Sequence, residues 1–456
     1  MKQLPQSMIP RSAKTFGRGV HPPDYKDATK NLPVKRLGFA PELVVPLQQH
    51  LGAPARPIVR KGQEVVRGEP IAVPSGFVSV PMHAPATGVV AKIDKAVTAT
   101  GNMAPAIIIK PYPGSTQQVL YTGEADINAM SPDQIVAAVQ DTGMVGLGGA
   151  AFPTHVKMAV PHGKSVDTVI ANGCECEPFL TTDHRLMLEQ HDNLFRGIAI
   201  AMKATGAREA IIGIEDNKPD VIDALRAKLE NSPAATLPIR VETVMTRYPQ
   251  GAEKMLIKAL LRREVPSGGL PIDVRAAVFN VATLAQLADL MPRRRGLIER
   301  IVTVTGPGVQ KPGNYLVPLG TPLRYIFDQV GLSGDARQII LGGPMMGLSV
   351  ASLDVPVTKG VSGILVLTEE ETAARLNKIY PCIKCGQCLE ACPAALNPSL
   401  MGDLARRRDY KLMEEQYHLN DCFECACCTY VCPSNIPLVH YFRVAKALNR
   451  EKKAPR

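Results

Sequence analysis

Two cysteine runs of identical spacing constrain this chain more than any other feature: Cys382-x2-Cys385-x2-Cys388-x3-Cys392-Pro and Cys422-x2-Cys425-x2-Cys428-x3-Cys432-Pro. A 2-2-3 spacing closed by Pro is a cubane-cluster ligand pattern, so its duplication predicts two [4Fe–4S] clusters in the C-terminal region. In the bacterial two-cluster arrangement three closely spaced thiolates hold one cluster, and the fourth, before Pro, reaches across to the other. The expected sets are therefore Cys382, Cys385 and Cys388 with Cys432, and Cys422, Cys425 and Cys428 with Cys392. Zinc also takes repeated CxxC pairs, but in paired knuckles rather than in fours that end in Pro. Cys427, between ligands, reads as a small buried residue.

Cysteines in such numbers need a reducing compartment if they are to serve as ligands. There are 11, and the N-terminal segment MKQLPQSMIPRSAKTF has no apolar stretch ahead of a small-residue cleavage site, so the chain is expected to stay in the cytosol with its thiols reduced. The most apolar segment, 276–291, is interrupted by Asn280, Gln286 and Asp289, so no membrane span is expected. A net charge of +10 suits an anionic surface or an acidic partner. The Arg triplets 293–295 and 406–408 read as solvated faces, and no aromatic-interleaved basic repeat or zinc-finger spacing supports nucleic-acid binding.

The pattern along the chain predicts a multidomain α/β and α+β protein. Residues 1–40, rich in Pro and Lys, form an extended arm. Residues 41–125 carry short β-branched runs broken by Gly and Pro, as in RPIVRKGQEVVRGEPIAV, which predicts a small β-rich domain. Its half-repeats ending in Gly68 and Gly88 resemble the barrel-sandwich hybrid of biotinyl and lipoyl carriers. Those carriers present a Lys at a hairpin tip, where His83-Ala84-Pro85 stands here, which argues against a carrier role. Residues 126–298 alternate helical patterns (132–140, 193–205, 219–229, 253–261) with apolar runs such as VDTVIAN and EAIIGIE, the signature of an α/β domain. Residues 299–367 resemble the soluble-ligand-binding β-grasp module, with two strands and a short helix over 301–326. A helix over 368–380 leads into the two-cluster domain, 368–456. A long helical insert over 397–420 resembles those of α-helical ferredoxin modules.

A protein built around one-electron clusters usually needs a flavin to divide a hydride pair. Residues 146–157, GLGGAAFPTHVK, form a Gly-rich loop entering a helix; Gly146, Gly148 and Gly149 allow close backbone approach to a phosphate and Lys157 adds a point charge. The segment is similar to GRGGAGFPTGLKW of the NADH-binding flavoprotein subunit of respiratory complex I. In the same order, NGCECEP (172–178) resembles that family's NADESEP, YPQGAE (248–253) its YICGEE, and NVAT (280–283) its NVET. With the β-grasp segment, the two cluster runs and an arm containing His21-Pro22-Pro23, the chain resembles the C-subunit family of the Rnf complexes, membrane-bound ferredoxin:NAD oxidoreductases coupled to ion transport.

That resemblance implies FMN held noncovalently by Gly146, Gly148, Gly149, Lys157 and Asn172. It puts Phe152, Glu177, Tyr248 and Glu253 on the nicotinamide side, and Asn280 falls in the matching NVAT segment. Cys174 and Cys176 replace Asp and Ser of the complex I pattern, and Ala252 breaks its paired carboxylates. Phe152 and Tyr248 as core aromatics, Glu177 as a surface carboxylate, and Cys174-Glu175-Cys176 as a third metal site remain open alternatives. The implied activity is that of an ion-translocating NADH:ferredoxin-type oxidoreductase component using FMN, two [4Fe–4S] clusters and NAD(H), with no residue named as catalytic. The implied partners are a ferredoxin-like B subunit, membrane-embedded subunits, and ferredoxin or flavodoxin through the complex. The implied place is peripheral, on the cytoplasmic face of the inner membrane. A non-flavin docking and iron–sulfur relay protein is the rival, as is the cluster-bearing component of a succinate- or heterodisulfide-type enzyme.

Overall fold

The computed structural model describes residues 14–231, 233–375 and 378–453. Within residues 43–111 two antiparallel sheets face each other. One orders strands Leu43–Pro46, Met103–Pro111, Gly88–Val97 and Glu64–Val65, and the other Arg56–Pro57, Pro70–Val73 and Met82–His83. Alternating inward residues, Val45, Ile71, Met82, Val90, Ile107 and Ile109, fill the space between them. Gly88 is required at the long hairpin, since a Cβ there would stand 2.2 Å from the Lys110 carbonyl oxygen. His83 ends its strand buried against Gly296 of the next domain.

The α/β domain carries a four-stranded parallel sheet in the order Ile239–Val244, Glu209–Glu215, Thr168–Asn172, Ala276–Asn280. Its inner strands Thr168–Asn172 and Glu209–Glu215 are mostly buried apolar runs because helices cover both faces, while the edge strand Ile239–Val244 (IRVETV) alternates. The chain steps outward from Thr168–Asn172 through two strands and returns on the other side with Ala276–Asn280. The order therefore reverses between these two, which opens a crevice at their carboxyl ends. Helices His191–Thr205 and Val281–Leu290 pack so closely at Gly197 that a Cβ would meet the Leu284 carbonyl oxygen at 1.9 Å.

The β-grasp module is a six-stranded mixed sheet covered by helix Leu323–Val330, which buries Leu323, Ile326, Phe327 and Val330. Its first strand, Lys35–Arg36, comes from the N-terminal arm and pairs parallel with Gly313–Pro318. The arm is thus part of the structure from Lys14 onward; residues 1–13 lie outside the described residues. It also joins the remaining domains. Val20 and Tyr248 exchange two backbone hydrogen bonds of 2.9 Å, and Gly19 N–H donates to the Ala391 carbonyl at 3.1 Å. The buried Lys26 ammonium donates to the carbonyls of Glu175 and Glu177.

The C-terminal domain has short helices Gln387–Ala391, Pro398–Arg406, Tyr410–Glu415 and Cys427–Tyr430 and the longer Leu438–Lys453 around Met401, Met413, Leu419 and Phe442. The expected helical insert is built of two helices, Pro398–Arg406 and Tyr410–Glu415. Arg408 is left-handed (φ 60°), and the Asp409 side chain accepts from Leu412 N–H to start the second helix. The helix expected over 368–380 runs only Glu369–Arg375; residues 376–377 fall outside the described residues, and 378–386 are not helical.

Candidate electron-transfer site

Each cysteine run turns sharply at the same three places. Lys384, Gly386 and Ala395 in the first and Glu424, Ala426 and Asn435 in the second are all left-handed. These reversals wrap the chain around a centre and start a short helix at or beside the third cysteine. The structure brings together four thiols at each centre, three from one run and the fourth from the other. The Cys388 thiol is pushed up by burial and then by its neighbours Cys432, Cys385 and Cys382. Cys428 is pushed up by burial and then by Cys422, Cys425 and Cys392. Four thiols gathered at one centre are the donor set a cubane of iron takes, so the residues fit [4Fe–4S] groups.

The two centres have different surroundings. Around the first, Cys382 and Cys385 are exposed and the four thiols line a cavity of about 60 Å³ together with Lys384 and Arg406. Ile379, Tyr380 and Ile383 stand exposed beside it. Around the second, Cys392, Cys425 and Cys428 are buried. Its wall is a cluster in which Tyr248 and Val20 pack with Ala391, Cys425 and Cys427, bordered by Cys176 and Met345. Cys427 is fully buried, its thiol 3.9 Å from the Tyr248 carbonyl oxygen, and it hydrogen-bonds Cys425, whose thiol is lowered chiefly by that bond.

At the crevice of the parallel sheet, Asn172 and Asn280 are directly paired strand ends. Both spend their amides locally. Asn172 donates to the Gly251 carbonyl (2.8 Å) and accepts from Cys174 N–H (3.1 Å). Asn280 caps helix Val281–Leu290 and donates to Asp183 Oδ2 at 2.6 Å. The Asp183 carboxyl is pushed up to about 7 by burial and then by Glu175. Gly148 lies over Asn280, where a Cβ would meet its Cβ at 3.3 Å; Gly149 is left-handed (φ 109°) with open space before it. Gly146 closes the turn by donating to the Phe152 carbonyl at 2.8 Å. Residues 148–150 are exposed and Phe152 is half-buried. Lys157 pairs with Glu253 beside them, its ammonium 5.9 Å from the Phe279 ring centre. An exposed glycine turn and a cation over the switch point of a parallel sheet fit a flavin phosphate.

Tyr248 and Glu177 lie at the junction of the α/β domain with the cluster domain. The Tyr248 ring is 2% exposed, inside the junction with the cluster domain. Glu177 accepts from Met345 N–H (3.1 Å), Met346 N–H (2.9 Å) and the Tyr248 hydroxyl (3.3 Å). The pair expected on the nicotinamide side thus lies where the β-grasp loop and the cluster domain meet the α/β domain, with Tyr248 buried and Glu177 half-buried. The Cys174-Glu175-Cys176 side chains diverge. Cys174 faces the Gly213 carbonyl, Glu175 caps helix Thr182–Glu189 through Thr182, Asp183 and His184, and Cys176 borders the junction. Sequence reasoning missed Asp183 and Phe279. The acidic first turn of Thr182–Glu189 was the available signal for the first, and Phe279, beside Asn280 on its strand, for the second.

Comparison with known proteins adds to this geometry. Family profiles match in chain order: the RnfC barrel sandwich hybrid domain over residues 14–112, the Nuo51 FMN-binding domain over 139–289, the SLBB domain over 301–349 and a 4Fe-4S dicluster domain over 381–436. The chain is 41% identical to the C subunit of the proton-translocating ferredoxin:NAD(+) oxidoreductase complex of Clostridium ljungdahlii, over 96% of this chain and 94% of that protein. It is 42% identical to the C subunit of the Na(+)-translocating ferredoxin:NAD(+) oxidoreductase complex of Acetobacterium woodii, over 86% and 88%. Against the C subunit of the ion-translocating oxidoreductase complex of Pseudomonas aeruginosa it is 38% identical over 96% of its own length but 56% of that protein's. In fold it is similar to a chain of an NAD+-reducing [NiFe]-hydrogenase, with TM-score 0.53, 20% identity, and 72% and 68% of the two chains covered.

Proposed function

The chain belongs to the C-subunit family of the ion-translocating ferredoxin:NAD oxidoreductase (Rnf) complexes, and from that membership we propose that it exchanges electrons between NAD(H) and ferredoxin-type carriers as a peripheral component on the cytoplasmic face of the membrane. When bound, FMN supplies the exchange between hydride pairs and single electrons, and the [4Fe–4S] clusters supply one-electron carriage. The observation that carries the reading is the glycine turn at the reversal point of the parallel sheet, in a chain whose C-terminal domain gathers two sets of four thiols.

In this reading Gly148 and Gly149 bring backbone amides to the flavin phosphate, Gly146 holds their turn closed through its bond to the Phe152 carbonyl, and Lys157 supplies the balancing charge by turning from Glu253. Asn172 and Asn280 hold the strand ends that floor the pocket. Phe152 and Glu253 border the nicotinamide side. The four thiols of Cys382, Cys385, Cys388 and Cys432 present the exposed centre to a ferredoxin-like B subunit, and the membrane-embedded subunits hold the chain at the bilayer. No helix among the described residues is long and apolar enough to cross a membrane, so attachment rests on those partners.

Flavin analysis of the anaerobically purified chain tests the reading. About one FMN per chain, bleached on adding NADH, is expected, and Lys157→Ala should lower flavin occupancy several-fold while leaving iron and sulfide unchanged. A chain with full cluster content, no flavin and no NADH response would overturn it.

A further inference from the structure

The glycine turn carries three exposed backbone N–H groups, of Gly148, Gly149 and Ala150, that find no acceptor among the described residues. The residue before them is buried and pinned on both sides. Leu147 donates its N–H to the Thr283 hydroxyl at 2.9 Å, and its carbonyl accepts from the Arg300 guanidinium at 3.1 Å. Arg300 belongs to the β-grasp module, on strand Glu299–Thr305, and is 3% exposed. Its other hydrogen bonds go to the carbonyls of Ile301 and Lys359, and among the described residues no carboxylate is in ion-pair contact with it. Burial pulls its guanidinium down to about 10 against the opposing pull of Asp183, so it is charged at neutral pH. A buried cation that meets only carbonyls is costly, and a nearby anion offsets that cost.

The same module grips the turn a second time. The Lys359 ammonium, 1% exposed, donates to the Gly143 carbonyl at 2.7 Å and to the Pro81 carbonyl of the β-rich domain at 2.9 Å. Beside it, a Cβ at Gly360 would meet the Ala151 Cβ at 3.1 Å. The Leu147–Gly148 peptide bond is trans, so its carbonyl and its N–H point in opposite directions. With the carbonyl turned inward onto Arg300, the Gly148 N–H faces the exposed side. We propose that Arg300 is a positioning residue for the flavin phosphate, fixing and polarising the Leu147–Gly148 peptide from beneath the glycine turn so that Gly148 presents its N–H, backed by a buried positive charge, to the phosphate. This rests on the FMN reading above and deepens it, since it names how a flavin with a phosphate is preferred to one without. A hydrogen bond from a cation to one end of a peptide unit strengthens the donor at the other end. Lys157 then meets the phosphate from the open side, and Arg300 acts from the closed one.

The test compares FMN with riboflavin, which has the same ring system and no phosphate. The full chain, freed of flavin and titrated anaerobically with each, should prefer FMN. Arg300→Gln should weaken FMN binding about tenfold while leaving the riboflavin affinity and the iron content unchanged, and Arg300→Lys, which keeps the charge, should restore most of the preference. A merely structural role would weaken both flavins alike, and that result, like an unchanged preference, would overturn the proposal. If Arg300→Gln does not fold, the phosphorus NMR resonance of FMN bound at saturation to Lys157→Ala decides the matter. The bound phosphate should stay a dianion well below the pKa of about 6 of a free phosphomonoester, and titration at about 6 would overturn the proposal. A wild-type chain that binds neither flavin sinks the FMN reading and the proposal together, whereas a wild-type chain that binds FMN beside a variant that keeps its preference sinks the proposal alone.

Discussion

The centre around Cys382 and the centre around Cys422 are built from runs of the same spacing, with left-handed residues at the same three places, yet one opens to solvent and the other is walled in. Cys382 and Cys385 are exposed beside Ile379, Tyr380 and Ile383. Cys425 and Cys427 are buried against Tyr248 and the arm, and Cys428 is buried in the core of the cluster domain. The ligand frame is thus local, and the difference comes from what other domains bring to it. A duplicated motif gives two similar holders; the α/β domain and the arm make one of them an inner station and leave the other as an outer one. Exposed apolar residues with Lys384 and Arg406 beside the outer station are what a transient, acidic electron-transfer partner would meet.

The sharpest way to break this comparison is to exchange the fourth ligands. Cys392→Ser should remove the inner centre although Cys392 belongs to the first run, and Cys432→Ser the outer one. Each substitution should lower iron from roughly eight to roughly four per chain, four per cubane, and abolish one resonance signal. If Cys432→Ser removed the same signal as Cys422→Ser, each run would hold its own cluster and the inner and outer assignment would exchange residues.

What could be read from the sequence divides along the same line. The thiol sets were legible because spacing and the following Pro are local, and the glycine turn because close backbone approach leaves a local trace. The surroundings were not. Nothing in YPQGAE marks Tyr248 as buried, since its cover comes from Val20, more than two hundred positions earlier, and from Cys427, well over a hundred later. Nor does the arm's composition announce that Lys35–Arg36 will extend a sheet whose other strands begin at Glu299. The insert over 397–420 was legible as helical, but not where it divides. The break at Arg408 and Asp409 follows from packing both pieces against Leu438–Lys453 around Met401 and Met413.

Loosening the arm should erode the difference between the stations without touching a ligand. Gly19 is left-handed (φ 81°), and a Cβ there would stand 2.5 Å from the Tyr248 carbonyl oxygen while its N–H holds Ala391. Gly19→Val is expected to cost about 2 kcal/mol or more through strain and the lost bridge. Treated with ferricyanide, the wild-type chain should lose its outer cluster well before its inner one, whereas in Gly19→Val the two rates should converge. An unchanged gap in the variant would mean that the α/β domain shields the inner station without the arm.

The smallest effect separates the stations by how each meets its nearest cation. Arg18 donates to the Leu389 carbonyl at 3.1 Å and acts on the inner ligand Cys392, from a half-buried position on the arm. Arg406 lines the outer cavity and is exposed. Each positive charge favours the reduced form of its own centre, so Arg18→Gln and Arg406→Gln should each lower one potential and spare the other. Salt then tells them apart. Ions reach an exposed guanidinium within a Debye length of about 8 Å at physiological ionic strength, and screen a half-buried one much less. The Arg406→Gln shift should therefore shrink toward zero as salt is raised to about 1 M, where the screening length falls to about 3 Å, while the Arg18→Gln shift largely survives. Equal salt sensitivity would mean that the inner station is as wet as the outer one, and the contrast between the two centres would then rest on ligand exposure alone.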